Sequence, residues 1–377
     1  MKGLHSIAAV LTLALALSPS CSPVVTTGKE STFYTLRNDH LEIRFRGDVP
    51  LIERYRLKEN GGVLLGDVRQ NGPGISYWEG SKPVPSNWTH VAYHPEQNGN
   101  TITYHGVVAN KGREAVTFDL VYTLEGNQLR IDLKNVSEKE GFHLTDILLP
   151  GLITVDATDA SSRLAIAADA GRLIDVGAAA PREYEYEIDW LNPILGQFAY
   201  NSTAIGITDT KSIENHSIAS VFEQDGKKFG SLSMRLMYRL TKYDLEEFGT
   251  VVSVTDPEKL LKVQDSTSVT VTVTGDYDKD GKVSWVDGTK VVREGVDAVP
   301  NPYYRDKTFV RTFVDRPPTR RDPTGLREEL PFDSVLQRIK EFAAQTDSAG
   351  CVMYLLGWQY EGHDSGYPSV DKVNEHL

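Results

Sequence analysis

Thr117-Phe-Asp-Leu-Val-Tyr-Thr-Leu124, Glu125-Gly-Asn127 and Gln128-Leu-Arg-Ile-Asp-Leu-Lys134 form the stretch on which the fold turns. Apolar and polar residues alternate through both arms, the period of a half-buried antiparallel strand. The Glu-Gly-Asn break between them is turn chemistry, so a hairpin is the economical reading. Leu41-Glu-Ile-Arg-Phe45 and Thr101-Ile-Thr-Tyr104 repeat the alternation. Further strands are expected at 144–149, 162–167, 172–176, 204–208, 218–223, 231–240 and 268–274, while helical periodicity barely appears before Asp256. So many strands with polar turns between them imply two packed antiparallel sheets around a shared core. The fold class is mainly β, a large antiparallel β-sandwich over residues 31–275.

A chain of 377 residues with 40% hydrophobic and 24% charged residues is globular and long enough for two domains. A net charge of −12 argues against nucleic acid and against an anionic membrane surface as partners. Residues 1–20 carry Lys2 and an apolar core from Ile7 to Leu17, too short to span a bilayer, which reads as an export signal. Cys21, preceded by Ser18 and Ser20, resembles the lipidated cysteine of bacterial lipoproteins, although Ser18 stands where such boxes place a Leu. That resemblance implies a cell-surface or outer-membrane lipoprotein touching the membrane only through its lipid anchor. The alternative is cleavage after Ala16 or Ser20, giving a periplasmic or secreted protein. Residues 21–30 are small and polar, a tether. Cys351 is the one other cysteine, so no disulfide framework supports the fold.

Asp276-Tyr-Asp-Lys-Asp-Gly-Lys-Val-Ser-Trp-Val-Asp287 has the spacing of an EF-hand-type calcium loop. Asp276, Asp278 and Asp280 fall at positions one, three and five. Gly281 makes the turn at six, Lys282 offers its carbonyl at seven, and Asp287 closes at twelve. Carboxylates at alternate positions of a tight loop converge when a hard cation offsets their repulsion. Position twelve is Asp rather than the bidentate Glu, and a strand rather than a helix precedes the loop. The plainer alternative is an Asp/Gly-rich surface turn. Residues 276–299 read as a calcium-pinned linker, the metal being structural.

Beyond Pro300-Asn-Pro302 the pattern changes. Lys307-Thr-Phe-Val-Arg-Thr-Phe-Val314 reads as a strand, and Asp333 as the cap of a helix with Val335, Leu336, Ile339, Phe342 and Ala343 at helical spacing, ended by Ala349-Gly350. Val352-Met-Tyr-Leu-Leu-Gly357 is the next strand. Strand, helix, strand is a βαβ unit, which demands a parallel sheet and a right-handed crossover. A closed β/α barrel takes about 250 residues, so residues 300–377 are expected to form only its opening portion, in an amino-terminal fragment of a longer protein.

The second strand runs into Trp358-Gln-Tyr-Glu-Gly-His-Asp-Ser-Gly-Tyr-Pro368, rich in aromatic rings and carboxylates. Rings cover the apolar faces of sugars and carboxylates accept their hydroxyl protons. With the loop leading to Trp285-Val-Asp287, Gly357 to Pro368 resembles the endo-α-N-acetylgalactosaminidase family of glycoside hydrolases, and Tyr122 to Ile131 followed by Asn135 resembles the hairpin of galactose-mutarotase-like supersandwiches. The first resemblance implies a sandwich ahead of a β/α barrel, retaining hydrolysis of mucin-type O-glycans, and a sugar subsite at Asp364 with His363 and Trp358 beside it and Glu361 on the same loop. It implies a nucleophile and acid/base on later barrel strands, leaving no catalytic carboxylate in this chain. Tyr367 and the Trp358-Gln359 pair depart from the family pattern, which leaves the glycan open. Glu361 and Asp364 sit too close in one loop to approach a sugar from opposite sides, as a retaining pair must. The plain structural alternatives are a loop carboxylate bonded to backbone for Asp364, with His363 as its partner, and core packing for Trp358. The rival function is a carbohydrate-binding surface lipoprotein without chemistry, with Trp78, Trp88 and Trp190 as its test residues.

Overall fold

The central hairpin forms, with Tyr122 opposite Ile131, Leu124 opposite Leu129 and Glu125 already paired with Gln128. The computed structural model describes residues 33–84, 90–166, 171–187, 196–210, 212, 214–240, 242–245, 250–253, 261–263, 267–294, 301–317, 327–362, 372–375 and 377. The export signal, Cys21, Trp88, Trp190, His363, Asp364 and Tyr367 lie outside them. The elements that carry the residues of interest are, in chain order, His90–Asn98 (β1), Thr101–Asn110 (β2), Arg113–Glu125 (β3), Gln128–Glu138 (β4), Phe142–Asp156 (β5), Arg182–Glu187 (β6), Gln197–Tyr200 (β7), Ile205–Asp209 (β8), His216–Gln224 (β9), Lys227–Met237 (β10), Thr267–Thr274 (β11), Trp285–Glu294 (α1), Thr308–Phe313 (β12), Phe332–Gln345 (α2) and Cys351–Leu356 (β13).

Among the described residues, a nine-stranded sheet runs Arg172–Asp175, Arg163–Ile166, β7, β8, β11, β4, β3, β2, β1. A ten-stranded sheet holds β5, β10, β9 and β6 side by side. Alternation sets the layers: Ile102, Tyr104 and Val108 of β2 are fully buried, while His105 between them is half-exposed on the other face. Leu41, Ile43 and Phe45 from the ten-stranded sheet join Ile102, Tyr104, Leu120 and Tyr122 from the nine-stranded one in a single core. The result is an antiparallel β-sandwich.

Large buried tyrosines tie the layers together. Tyr104 and Tyr122 donate to the carbonyls of Arg46 (2.5 Å) and Pro50 (3.0 Å), while within the ten-stranded sheet Tyr55 donates to that of Leu152 (2.8 Å). The Tyr122 ring meets Phe45 and Tyr104 edge-on at 5.4 and 5.6 Å between centroids, the arrangement that ring quadrupoles favour. Burial pushes the Tyr104 and Tyr122 hydroxyls far above their ordinary range, so they stay protonated donors. At Gly206 a Cβ would lie 2.5 Å from the terminal methyl of Ile153 and 3.0 Å from Leu64, so a larger residue there would require these side chains to repack.

The outer face of β7 and β8 is sealed by α1: Phe198, Tyr200, Ile205 and Ile207 pack against Val291 and Val292. The ten-stranded sheet carries an ionic network across β5, β10, β9 and β6. Arg235 donates to Glu185 (2.8 Å) and Asp146 (2.9 Å), and His216 Nδ1 lies 3.3 Å from Glu185.

Residues 242–254 and 294–377 form a second compact unit. Within it β12 and β13 pair in parallel, from Thr308 opposite Cys351 to Phe313 opposite Leu356, and α2 lies between them in sequence. The helix differs from expectation at both ends. It starts at Phe332 with Pro331 at the N-cap, so Asp333 does not cap it but sits in the first turn, where a carboxylate meets the positive end of the helix dipole. It stops at Gln345, ahead of Asp347 and Ser348 in left-handed conformation, rather than at Ala349-Gly350.

The hydrogen bond from His216, followed by the bonds and charge of Arg235, holds the Glu185 carboxyl at a pKa of about 2. A carboxyl depressed on folding stabilises above its unfolded pKa and loses that stabilisation as pH falls through the folded value. The contribution of Glu185 is therefore complete above about pH 4.5 and fades toward pH 2. Glu185→Gln should cost about 1 kcal/mol at neutral pH, the partial exposure of the network allowed for, and should flatten the melting-temperature profile between those limits. A profile unchanged from wild type would contradict the assignment.

Candidate functional site

Two loops concentrate the polar residues that the sequence singled out. The first joins β11 to α1. Gly281 takes a φ of +89°, which turns the chain back, and oxygens of Asp276, Asp278 and Asp287 come within 4.8 Å of one another. Asp287, 1% exposed, is the loop's anchor: its Oδ1 accepts from the backbone N–H of Tyr277 (2.8 Å) and Asp278 (3.1 Å), and its Oδ2 from Ser284 (2.8 Å). Asp276 accepts from the N–H of Asp280 (3.1 Å) and Gly281 (2.7 Å).

Asp280 accepts from Lys282 N–H (2.9 Å) and stands apart from the converging three. Lys290 of α1 reaches back to Asp278 at 2.6 Å, and this bond holds the Asp278 carboxyl below its ordinary pKa. Three carboxylates so close repel unless a cation sits among them, and Lys290 alone offsets one charge. Oxygen donors on a tight loop suit a hard cation, so this group can hold a metal ion.

The second loop belongs to the parallel unit. Val314 donates to Leu356 O (2.8 Å), carrying the ladder one residue past β12 and placing Asp315 at the carboxyl end of the pair. Asp315 is fully buried and bonded to Arg327, Nε at 2.8 Å and the second guanidinium nitrogen on its other oxygen. Asn374 donates to Asp315 Oδ2 (2.8 Å) and to the carbonyls of Gly357 (3.1 Å) and Gln359 (2.9 Å). At Gly357 (φ +84°) a Cβ would lie 2.0 Å from Asp315 O, and at Gly362 (φ +90°) 2.7 Å from its Oδ2.

The loop from Gly357 to Gly362 is thus pressed onto Asp315 at both ends. Between them Trp358 is 57% exposed and Glu361 is exposed in left-handed conformation, φ +61°. The Tyr360 hydroxyl donates to Glu361, and this bond, followed by the carboxylate's charge, raises the phenol pKa; Lys372 lies 4.7 Å from the Tyr360 ring centroid.

The structure brings Trp358 and Glu361 onto one loop, while His363 and Asp364 fall outside the described residues. Asp315, Arg327 and Asn374 escaped the sequence reading. The available signal was an acidic residue directly after an apolar strand, which is where parallel β/α sheets place functional groups.

No protein-family model and no curated protein matches the sequence. By fold, the α-N-acetylgalactosaminidase NagBb from Bifidobacterium bifidum in complex with GalNAc aligns at TM-score 0.57 and 12% identity, covering 91% of this chain and 54% of that one. Its complex with Gal-NHAc-DNJ aligns at TM-score 0.59 and 12% identity, covering 90% and 54%. A galactose mutarotase related enzyme from Lactobacillus acidophilus covers 67% of the chain at TM-score 0.40, a likeness too remote to carry weight. The chain spans about half the length of the NagBb structures, and at this identity the likeness establishes the fold.

Gly357→Ala adds a Cβ where there is no room and forces a strained φ, so it should destabilise the parallel unit by about 3 kcal/mol. Hydrogen exchange across β13 and the loop after it should accelerate sharply. Unchanged protection there would mean that the close approach to Asp315 is not real.

Proposed function

We propose that this chain belongs to a glycoside hydrolase acting on α-linked N-acetylgalactosamine in mucin-type O-glycans. The sandwich is its support, and residues 300–377 contribute the opening βαβ portion of its catalytic β/α barrel. One observation carries the reading: a parallel strand pair delivers an exposed tryptophan and a carboxylate at its carboxyl end, in a chain whose fold follows a GalNAc-bound enzyme over 91% of its length.

In this reading Trp358 lies against the apolar face of the sugar, and Glu361, His363 and Asp364 accept or donate to its hydroxyls. Asp315, Arg327 and Asn374 hold the loop that presents them. The nucleophile and acid/base come from other strands of the barrel, set about 5 to 5.5 Å apart as retention requires. Calcium, held by Asp276, Asp278 and Asp287 with the Lys282 carbonyl, is structural: it draws the β11–α1 loop together and has no part in bond cleavage. The protein is exported, and Cys21 carries a lipid anchor.

Assayed alone, the 377-residue chain should not hydrolyse aryl α-N-acetylgalactosaminides. Turnover that Glu361→Gln abolishes would overturn the placement of the catalysts elsewhere. Binding of O-glycans by residues 31–275 alone would favour the non-catalytic alternative.

For the metal, ligand linkage gives about 2.7 kcal/mol at a hundredfold excess over Kd, or roughly 5 to 10 °C for a unit of this size. EDTA should lower the melting temperature by about that amount, and Asp278→Ala should remove the calcium response. A melting temperature that neither EDTA nor calcium moves would eliminate the metal.

A further inference from the structure

The outward face of the nine-stranded sheet holds a cluster that the glycan reading does not use. His94 of β1 stands directly opposite His105 of β2, and His105 stands opposite Asp119 of β3, so the three side chains share one face in a row across the strands. Glu96, two residues from His94 on β1, is on that face too. The row lies at the sheet edge, and β1 can carry Pro95 because an edge strand tolerates a missing N–H.

His105 is oriented from behind. Its Nδ1 lies 2.6 Å from Asp119 Oδ1, and Asp119 is only 14% exposed. An ionised carboxylate accepts and does not donate, so this contact places the imidazole proton on Nδ1 and leaves the Nε2 lone pair free. Asn135 fixes the second carboxylate oxygen, donating to Asp119 Oδ2 at 2.6 Å from a β-bulge where it adopts a φ of +51°. A histidine whose distal N–H is held by a hydrogen-bonded carboxylate is the arrangement that supports metal-bound imidazoles.

On the open side, His105 Nε2 lies 3.8 Å from Glu96 Oε2. That is too long for a hydrogen bond. Two donors at about 2.0 Å from one tetrahedral ion stand roughly 3.3 Å apart, so a small rotation of the 75% exposed Glu96 side chain brings both onto a common cation. His94 is exposed and stands opposite His105 on the same face, so turning its side chain toward His105 would add a third donor.

We infer that His94, Glu96 and His105 form a surface site for a divalent cation of borderline softness, Zn2+ above all, with Asp119 and Asn135 as positioning residues. Two imidazoles and one carboxylate suit zinc, and the exposed side leaves a coordination position for water or an exogenous ligand. The all-oxygen loop at Asp276 to Asp287 selects a harder ion, so the two sites answer to different metals.

Titration calorimetry with Zn2+ in millimolar calcium, on the full chain, tests the assignment. One equivalent should bind, with affinity at least tenfold lower in both His94→Gln and His105→Gln and ten- to hundredfold lower in Asp119→Asn. Co2+ should give the visible absorption of a four- or five-coordinate ion in wild type, bleached in both histidine variants. His94 lies exposed on an edge strand, so His94→Gln remains informative even if Asp119→Asn fails to fold. Absence of Zn2+ binding, or equal affinity in wild type and both histidine variants, overturns the proposal; the latter outcome would mark adventitious binding elsewhere.

Discussion

The hydroxyls of Tyr104 and Tyr122 reach across the sandwich to the carbonyls of Arg46 and Pro50. A buried phenol without an acceptor costs about 1 to 3 kcal/mol, so these bonds allow the core to be built from large rings rather than aliphatic side chains alone. They also fix which side chains of β2 and β3 point inward. With Tyr104 and Tyr122 committed to the core, alternation sends His105 and Asp119 to the opposite face. The same pleat puts Phe198, Tyr200, Ile205 and Ile207 outward at the far end of the sheet, where α1 covers them.

Both candidate loops use one structural device, a buried carboxylate that spends its oxygens on the loop itself. Asp287 gathers three backbone N–H groups and sets the curve that brings Asp276 and Asp278 together. Asp315 gathers Arg327 and Asn374, and through Asn374 the carbonyls of Gly357 and Gln359. Breaking a buried pair of this kind by removing one partner is strongly destabilising, since the other is left charged or unbonded. Neither carboxylate is available to a substrate. Asp287 fixes the carboxylates of the metal group, and Asp315 fixes the loop that exposes Trp358 and Glu361.

The sandwich was legible because period-two alternation is a direct consequence of half-burial, and Thr117 to Lys134 carries it on both arms of the hairpin. The parallel pairing of β12 and β13 was legible from the helix between them, since two strands joined that way cannot be a hairpin. The α2 cap was misread because Asp333 is a good capping residue in isolation, whereas Pro331 already fixes the backbone angle at the start of the helix. Of the metal group, spacing alone picked out Asp276, Asp278 and Asp287 but could not foresee that Asp280 turns to its own loop backbone. The position of Asp315 after an apolar strand was visible, but its bond to Asn374 was not: the two are 59 residues apart, and no local pattern encodes that contact. The row through His94, His105 and Asp119 was equally hidden, because it exists only once the register of three strands is known.

The proposed function requires that the loop between Gly357 and Gly362 receive an acetamido sugar. Saturation-transfer NMR of methyl α-N-acetylgalactosaminide with the wild-type chain and with Trp358→Ala addresses this directly. The account predicts transfer to the acetamido methyl and ring protons in wild type and its loss in the variant. Equal transfer in both proteins, or none in wild type, would contradict it.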